Sequence, residues 1–424
     1  MFVFYGRLPV TIVFAFMAVS SWTSPVLAQQ RAPLTIAEAE DLALEGEPGH
    51  AALQAQAVAL QQQAVAAGQL PDPTMRIGLA NFPINSGGFS TEGMTQAQLG
   101  VRQAFPRARA LATDRFEARS EAYSRTADAR SRDVLVAVRN AWLETYYSQR
   151  AWSLVSESRP FFADLVTITR SMYAVGRKSQ HDVLRAELEL SRLDDRLIET
   201  GRARSEAQAH LSRWLGQDAR RPVAMKLPDW ETLPGLAELR AGLDAHPALA
   251  AASAGIAAKQ AAVGIAEANK KPAWALDVGY GYRDGSLPNG EPRSDFVSVA
   301  VTVELPFFSE NRQDRTLAAA LGERRAAVHT QAELNARLVS ELEAEFARWT
   351  DLTRRLALYD QQILDQSRIQ AQAALLAYQS DTGDFADVMR AHIDELNTRL
   401  EYIRLQVERA QSYAALASLG GIER

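Results

Sequence analysis

The stretch SDTGDFADVMR, residues 380–390, carries three carboxylates at three-residue spacing, Asp381, Asp384 and Asp387, followed by Arg390. If the chain is helical from Asp384 onward, Asp384 and Asp387 share a face. Carboxylates crowded in this way repel one another and attract cations. The plainer alternative makes Asp384 a helix cap and Asp381 a solvated turn residue. Little else in the chain suggests chemistry. The histidines, His50, His181, His210, His246, His329 and His392, are scattered with no HxH or HExxH spacing and read as surface or helix-packing residues. There is no cysteine, which removes disulfides, thiolate zinc sites and a thiol nucleophile. The methionines show no paired spacing, so Met75 and Met94 read as strand and loop residues rather than metal ligands. GYGYRDG, residues 279–285, is followed by no phosphate-binding helix. With no nucleophile–base arrangement, the expectation is a non-enzyme with no cofactor and no metal site. A net charge of −5 leaves no electrostatic footprint for a nucleic-acid partner.

The elements that would carry these aspartates are written twice. YAVGRKSQHDVLRA, residues 173–186, recurs 205 residues later as YQSDTGDFADVMRA, with Tyr173, Asp182, Val183, Arg185 and Ala186 repeated as Tyr378, Asp387, Val388, Arg390 and Ala391. Other echoes keep the same order: Pro71 with Pro272, Gly78 with Gly279, Pro106 with Pro306, and Asp114-Arg115 with Asp314-Arg315. Their offset of 200 or 201 grows to 205 before the bends, so the second copy contains a short net insertion. Each copy reads as helix, strand, polar loop, strand, long helix, bend, long helix. The first spans residues 29–215 and the second 236–424, with a Pro- and charge-rich linker at 216–235 packed on the outside. From about Arg109 to Ser171 only Pro160 interrupts a helical pattern. About 60 residues at 1.5 Å each would span roughly 90 Å. Helices alone would also suit a soluble coiled-coil scaffold.

The strands argue against that scaffold. Trp274, Leu276, Val278, Tyr280 and Tyr282 alternate with Ala275, Asp277, Gly279, Gly281 and Arg283; Val297, Val299, Val301, Val303 and Leu305 alternate with polar or small residues. In the first copy Met75, Ile77 and Leu79, then Leu99, Val101 and Phe105, form the apolar rows, with Gln103 breaking the second. The strand pairs are expected at about 74–105 and 273–306. Ten residues suffice for a tilted strand to cross a bilayer, and Trp274, Tyr280 and Tyr282 stand where an interfacial aromatic girdle would. Four strands cannot close a barrel, and an open edge in lipid leaves backbone groups unpaired. A membrane barrel would therefore be shared between chains. The first 28 residues have the layout of a secretory signal, with Arg7, the apolar run VTIVFAFMAV and the small-residue exit Val26-Leu27-Ala28. A retained N-terminal anchor is the alternative there. No later segment stands out as a membrane-spanning helix.

A signal peptide, two helix–strand–strand–helix–bend–helix units and the paired bends together resemble the TolC-like outer-membrane efflux family, over about residues 34–420. LPDPTMRIGLANFP and GMTQAQLGVRQAFP look particularly like its heavy-metal, CzcC/CusC-type branch. The resemblance implies a mainly helical fold with a membrane β-barrel. Three chains contribute four strands each to a 12-strand barrel continued by a long periplasmic α-helical barrel. Pro71, Pro106, Pro272 and Pro306 would mark the strand–helix transitions. It implies an outer-membrane exit duct that serves a periplasmic adaptor and an inner-membrane pump, proton-driven and of RND type, with outer-membrane lipid around the barrel. The cargo would be heavy-metal cations, with organic solutes as the alternative and a poreless periplasmic adaptor as the remote one. The bends, near 173–182 and 378–387, become periplasmic tips where Tyr173, Gly176, Tyr378 and Gly383 meet the adaptor. Asp387, with Asp384, Asp381 and Arg390, would line the entrance gate. The sequence departs from the family where Asp381 takes the place of a second tip glycine, where Arg390 replaces a second acidic gate residue, and in lacking a lipid-anchoring cysteine. An arginine beside Asp387 would pair with it and offset the acidic ring.

Overall fold

The computed structural model describes residues 32–380 and 382–422. The signal-like segment 1–28 and Asp381 lie outside the described residues. The chain opens with α1 (Ile36–Leu44) and α2 (Pro48–Gly68), followed by β1 (Thr74–Ala80), β2 (Gln96–Phe105), α3 (Arg109–Ala174) and α4 (Gln180–Leu215). After the linker come α5 (Leu236–Gly242), α6 (Pro247–Ala268), β3 (Ala273–Tyr282), β4 (Phe296–Glu304), α7 (Gln313–Leu358), α8 (Leu364–Gln379) and α9 (Phe385–Gly420). Pro71, Pro106, Pro272 and Pro306 each fall in a joint between a strand and a helix, where a residue without an N–H leaves no donor unpaired.

The four strands form one antiparallel meander in the order β1-β2-β3-β4, so β2 of the first copy pairs with β3 of the second. Register places Met75, Val101, Val278 and Val299 in one row and Ile77, Leu99, Tyr280 and Val297 in the next. Residues opposite one another share a face, so one side of the sheet is apolar across all four strands. The other side carries Arg76, Gln98, Arg102, Asp277, Ser298 and Thr302 among glycines and alanines. Gln103 sits in the apolar row at its α-helical end, and its amide donates to the carbonyls of Pro71 (2.9 Å) and Ala104 (3.0 Å). That accounts for a polar side chain in an apolar row.

The long helices correct two expectations. Pro160 does not interrupt α3, which continues for 66 residues, about 100 Å. Phe162, Leu165 and Val166, just beyond the proline, are buried among side chains of α4 and α9, and this packing outweighs the lost hydrogen bond. The Asp114-Arg115 and Asp314-Arg315 echo also has no common helical position. α3 begins three residues after Pro106 but α7 begins seven after Pro306, so four of the five inserted residues lie in that joint. The fifth falls inside the helix, where a π turn at Tyr359–Ile363 absorbs it. At the offset of the tips, this turn corresponds to residues 154–158, just ahead of Pro160 in the first copy.

Residues Leu236–Ala268 are long and apolar enough to cross a membrane by composition, a feature passed over in the sequence. A 3₁₀ turn at Leu243–Ala245 divides them, and α6 lies along α3 and α7 with Gly264 facing Leu111. The linker begins with a 3₁₀ turn, Gly216–Arg220, and then pairs with the N-terminal segment: Leu34 and Val223 form a parallel bridge.

Candidate functional site

At the first bend the chain turns with a complete Schellman ending. Gly176 has φ 74°, its N–H donates to Tyr173 O (2.9 Å), and Arg177 N–H donates to Met172 O (2.9 Å). Glycine is the residue that takes this φ without strain. α4 then starts from a reciprocal capping box: Asp182 N–H donates to Ser179 Oγ (3.3 Å) and Ser179 N–H donates to Asp182 Oδ2 (3.1 Å).

The second bend repeats one backbone bond of the first, Thr382 N–H to Ala377 O for Arg177 N–H to Met172 O, and changes the cap. Thr382 and Gly383 N–H both donate to Ala377 O (2.9 and 3.0 Å). A Cβ on Gly383 would lie 2.9 Å from that of Ala377, so the turn is closed tightly there. Asp384 and Asp387 replace Ser179 and Asp182. Neither carboxylate makes the reciprocal backbone bonds of a capping box here. Asp384 occupies the cap position of α9 with no side-chain hydrogen bond, and Asp387 instead accepts from Arg390 Nη1 at 3.1 Å. Asp384, Asp387 and Arg390 are all exposed. The second copy has thus exchanged a cap for two solvent-facing carboxylates, one of them paired with Arg390.

The duplicated tyrosines occupy different environments. Tyr173 is 48% exposed and Tyr378 2%. The Tyr378 ring meets Phe385 edge-on at 5.5 Å, its hydroxyl donates to Met172 Sδ at 3.4 Å, and the Lys178 ammonium lies 4.6 Å from the ring centre. Tyr378 is therefore packed between the two tips, whereas the sequence suggested a place for it at the adaptor contact. Around it Phe162, Leu165, Leu193, Phe385, Val388 and Met389 form one core shared by both hairpins.

His392, read from sequence as a packing or surface residue, lies against Phe161 (4.1 Å between rings) with Nδ1 3.5 Å from Glu395. Burial holds its pKa below the usual 6.5, opposed by Glu395 and aided by Arg399. The neutral form is favoured in the packed tip, so this stability is complete above about pH 6.5 and is lost as pH falls toward the depressed pKa. Protease cleavage near the tips should rise between about pH 6.5 and 5 in the wild type and stay flat in His392→Gln.

In the sheet, Trp274, Tyr280 and Tyr282 lie on the apolar face, each about half exposed. Trp274 stacks on Phe105 (4.0 Å) at the helical end, and Tyr282 stacks on Phe89 (6.2 Å) at the loop end. The Tyr280 hydroxyl donates to Asp295. The aromatics thus mark both margins of the apolar band. Phe307 and Phe308, just past Pro306, are 76% and 86% exposed; the sequence reading stopped at Leu305, although the pair stands plainly after the proline. Loop arginines tie the two hairpin ends together, with Arg283 Nη1 donating to Gly93 O (3.1 Å) and Arg293 Nη1 to Ser90 O (3.3 Å).

A sheet with one lipid-compatible face, two open edges and helices of about 100 Å defines a subunit of a shared transmembrane barrel with a helical extension. Residues 239–421 match the family described as Outer membrane efflux protein. Protein CyaE of Bordetella pertussis is 26% identical over 95% of this chain and 88% of its own length. The CusC structure, whose subject includes transmembrane channel formation, superposes with TM-score 0.77 at 14% identity over 91% of each chain. The outer membrane protein VceC of Vibrio cholerae superposes with TM-score 0.75 at 18% identity, over 91% of this chain and 96% of its own. Match and fold together bear out the resemblance to the TolC-like outer-membrane efflux family. The second half of the chain carries the outer-membrane efflux match, and the fold over 91% of the chain is that of CusC and VceC.

Proposed function

We propose that three copies form the passive exit duct of a tripartite efflux system, receiving heavy-metal cations from a proton-driven inner-membrane pump of RND type. The observation that carries the duct is the four-stranded sheet: its apolar face needs lipid, and its edges need strands of other copies. The metal cargo is supported by the heavy-metal resemblance of the strand segments and by the exposed carboxylates at the second tip. Among the described residues no group of three or more His, Asp or Glu is placed to hold a metal ion, so the cation would pass without being retained. The adaptor would dock on the tips around Tyr173, Gly176 and Gly383. Asp384 and Asp387, with Asp381 between the same helices in sequence, would line the entrance, and Trp274, Tyr280 and Tyr282 would seat the barrel in outer-membrane lipid.

The protein should stay in the outer-membrane fraction until detergent releases a trimer, and the trimer should give discrete steps in a planar bilayer. A chain that washes off without detergent and gives no steps would defeat the duct. The Asp387–Arg390 pair is exposed, and such pairs shift an equilibrium by up to a factor of about five. Asp387→Ala should therefore raise closed-state conductance by up to about fivefold, whereas Arg390→Ala, which frees the carboxylate, should strengthen block by a divalent cation. Unchanged conductance and block in both variants would remove the pair from the gate.

A further inference from the structure

The polar face of the sheet holds a cation that is unpaired among the described residues, in an inner row of the strands. Arg76 lies in a row with Gly100, Gly279 and Ser298. It is exposed and, among the described residues, has no hydrogen-bond or ion-pair partner. The other charges on this face are answered. Arg102 stands 4.0 Å from Asp277, which also accepts from Thr302 Oγ1 at 2.9 Å, and Glu304 accepts from Arg107 at 2.6 Å. A cavity of 220 Å³ opens on this face between Arg76, Arg102, Asp277 and Ser298, floored by the glycine backbone, with the Asp277 carboxylate answered by Arg102. Because the opposite face is the apolar one, this cavity faces the barrel lumen.

We infer that Arg76, beside the Ser298 hydroxyl, forms a cationic belt in the barrel lumen that binds small oxyanions, phosphate- or carboxylate-bearing, on their way through. A guanidinium suits this class because its planar fork matches two oxygens of one anion. The two glycines beside it leave bare wall where a side chain would otherwise fill the cavity. Twelve strands about 4.8 Å apart, tilted by about 40°, enclose a backbone cylinder roughly 24 Å across. Three inward guanidinium groups then bring most of the lumen within about one Debye length, ~8 Å, of a positive charge. The duct would thus carry opposite signs at its two ends, carboxylates at the tips and guanidinium groups in the barrel. A free cation that has passed the tips would find no binding site in the barrel, and an anionic solute or anionic metal complex would.

The inference rests on the duct reading, and one experiment separates the two. Tripolyphosphate is added to single channels of the purified trimer from the loop side. It should block the wild type, block Arg76→Lys comparably, and block Arg76→Gln at least tenfold more weakly. Equal block of Arg76→Gln and wild type, or block only from the tip side, would overturn the belt while leaving the duct intact. Absence of channels in wild type and variants alike would overturn the duct and the belt with it. Detergent-stable trimers of both variants confirm that each has folded.

Discussion

Tyr378→Ala should loosen the tips and raise closed-state conductance well above the effect of any other tip substitution. The ring is 2% exposed and sits where the two hairpins meet, against Phe385 from its own bend and against Met172 and Lys178 from the other. Truncating a buried aromatic to alanine costs about 3–5 kcal/mol through lost transfer energy and an unfilled cavity. Here the cost falls on the contact that holds the hairpins together, and a tip that opens by swinging one hairpin from the other must break that same contact. The hydroxyl–sulfur bond is a weak one because a thioether accepts poorly. Tyr378→Phe should accordingly stay within about twofold of the wild type, since an isosteric swap costs little. Tyr173→Ala, at the duplicated but exposed position, should leave closed-state conductance unchanged. If Tyr378→Ala and Tyr173→Ala behave alike, the shared core is not what keeps the tips closed.

The contrast between those two tyrosines shows where the sequence stopped informing. The same residue heads the same motif in both copies, but burial depends on which hairpin lies against it, and the motif contains nothing about that neighbour. The strands were far more legible. Their two-residue period assigned Met75, Val101, Val278 and Val299 to one face, and the register places all four in a single row. A period-two pattern is informative because a slip of one residue would reverse every side chain. The helices were legible in existence and length but not in their defects. Proline normally ends a helix, yet Pro160 lies inside α3 because long-range packing holds both sides of it. The π turn at Tyr359–Ile363 has no side-chain signature, and only the change in repeat offset hinted that a residue had been inserted. At the second tip the three aspartates were visible at once. That Asp384 makes no side-chain cap bond was not legible, because aspartate is as good a cap as the serine it replaces.

Glu40→Ala should detach the N-terminal segment from the helices and lower the thermal stability of the trimer. Arg139 Nε donates to Glu40 Oε1 at 2.6 Å, with side chains only 9% and 3% exposed. The guanidinium lies 5.3 Å from the centre of the Trp230 ring, which stacks at 5.0 Å on Tyr413 of α9. One pair therefore joins α1, α3, the linker and α9. The neighbouring Trp142 Nε1 donates to Leu34 O at 3.0 Å, and Leu34 bridges to Val223. Removing one member of a buried ion pair leaves the other charge uncompensated and costs about 3–5 kcal/mol. Replacing both by apolar residues of similar volume avoids that cost. Glu40→Ala should then show faster amide exchange across residues 34–44 and a lower melting temperature, with Glu40→Gln intermediate because its amide oxygen still accepts. Glu40→Leu combined with Arg139→Met should recover most of the loss. If the double variant is as unstable as Glu40→Ala, the destabilisation does not come from a stranded guanidinium, and the linkage must depend on the aromatic stack and the Leu34 bridge instead.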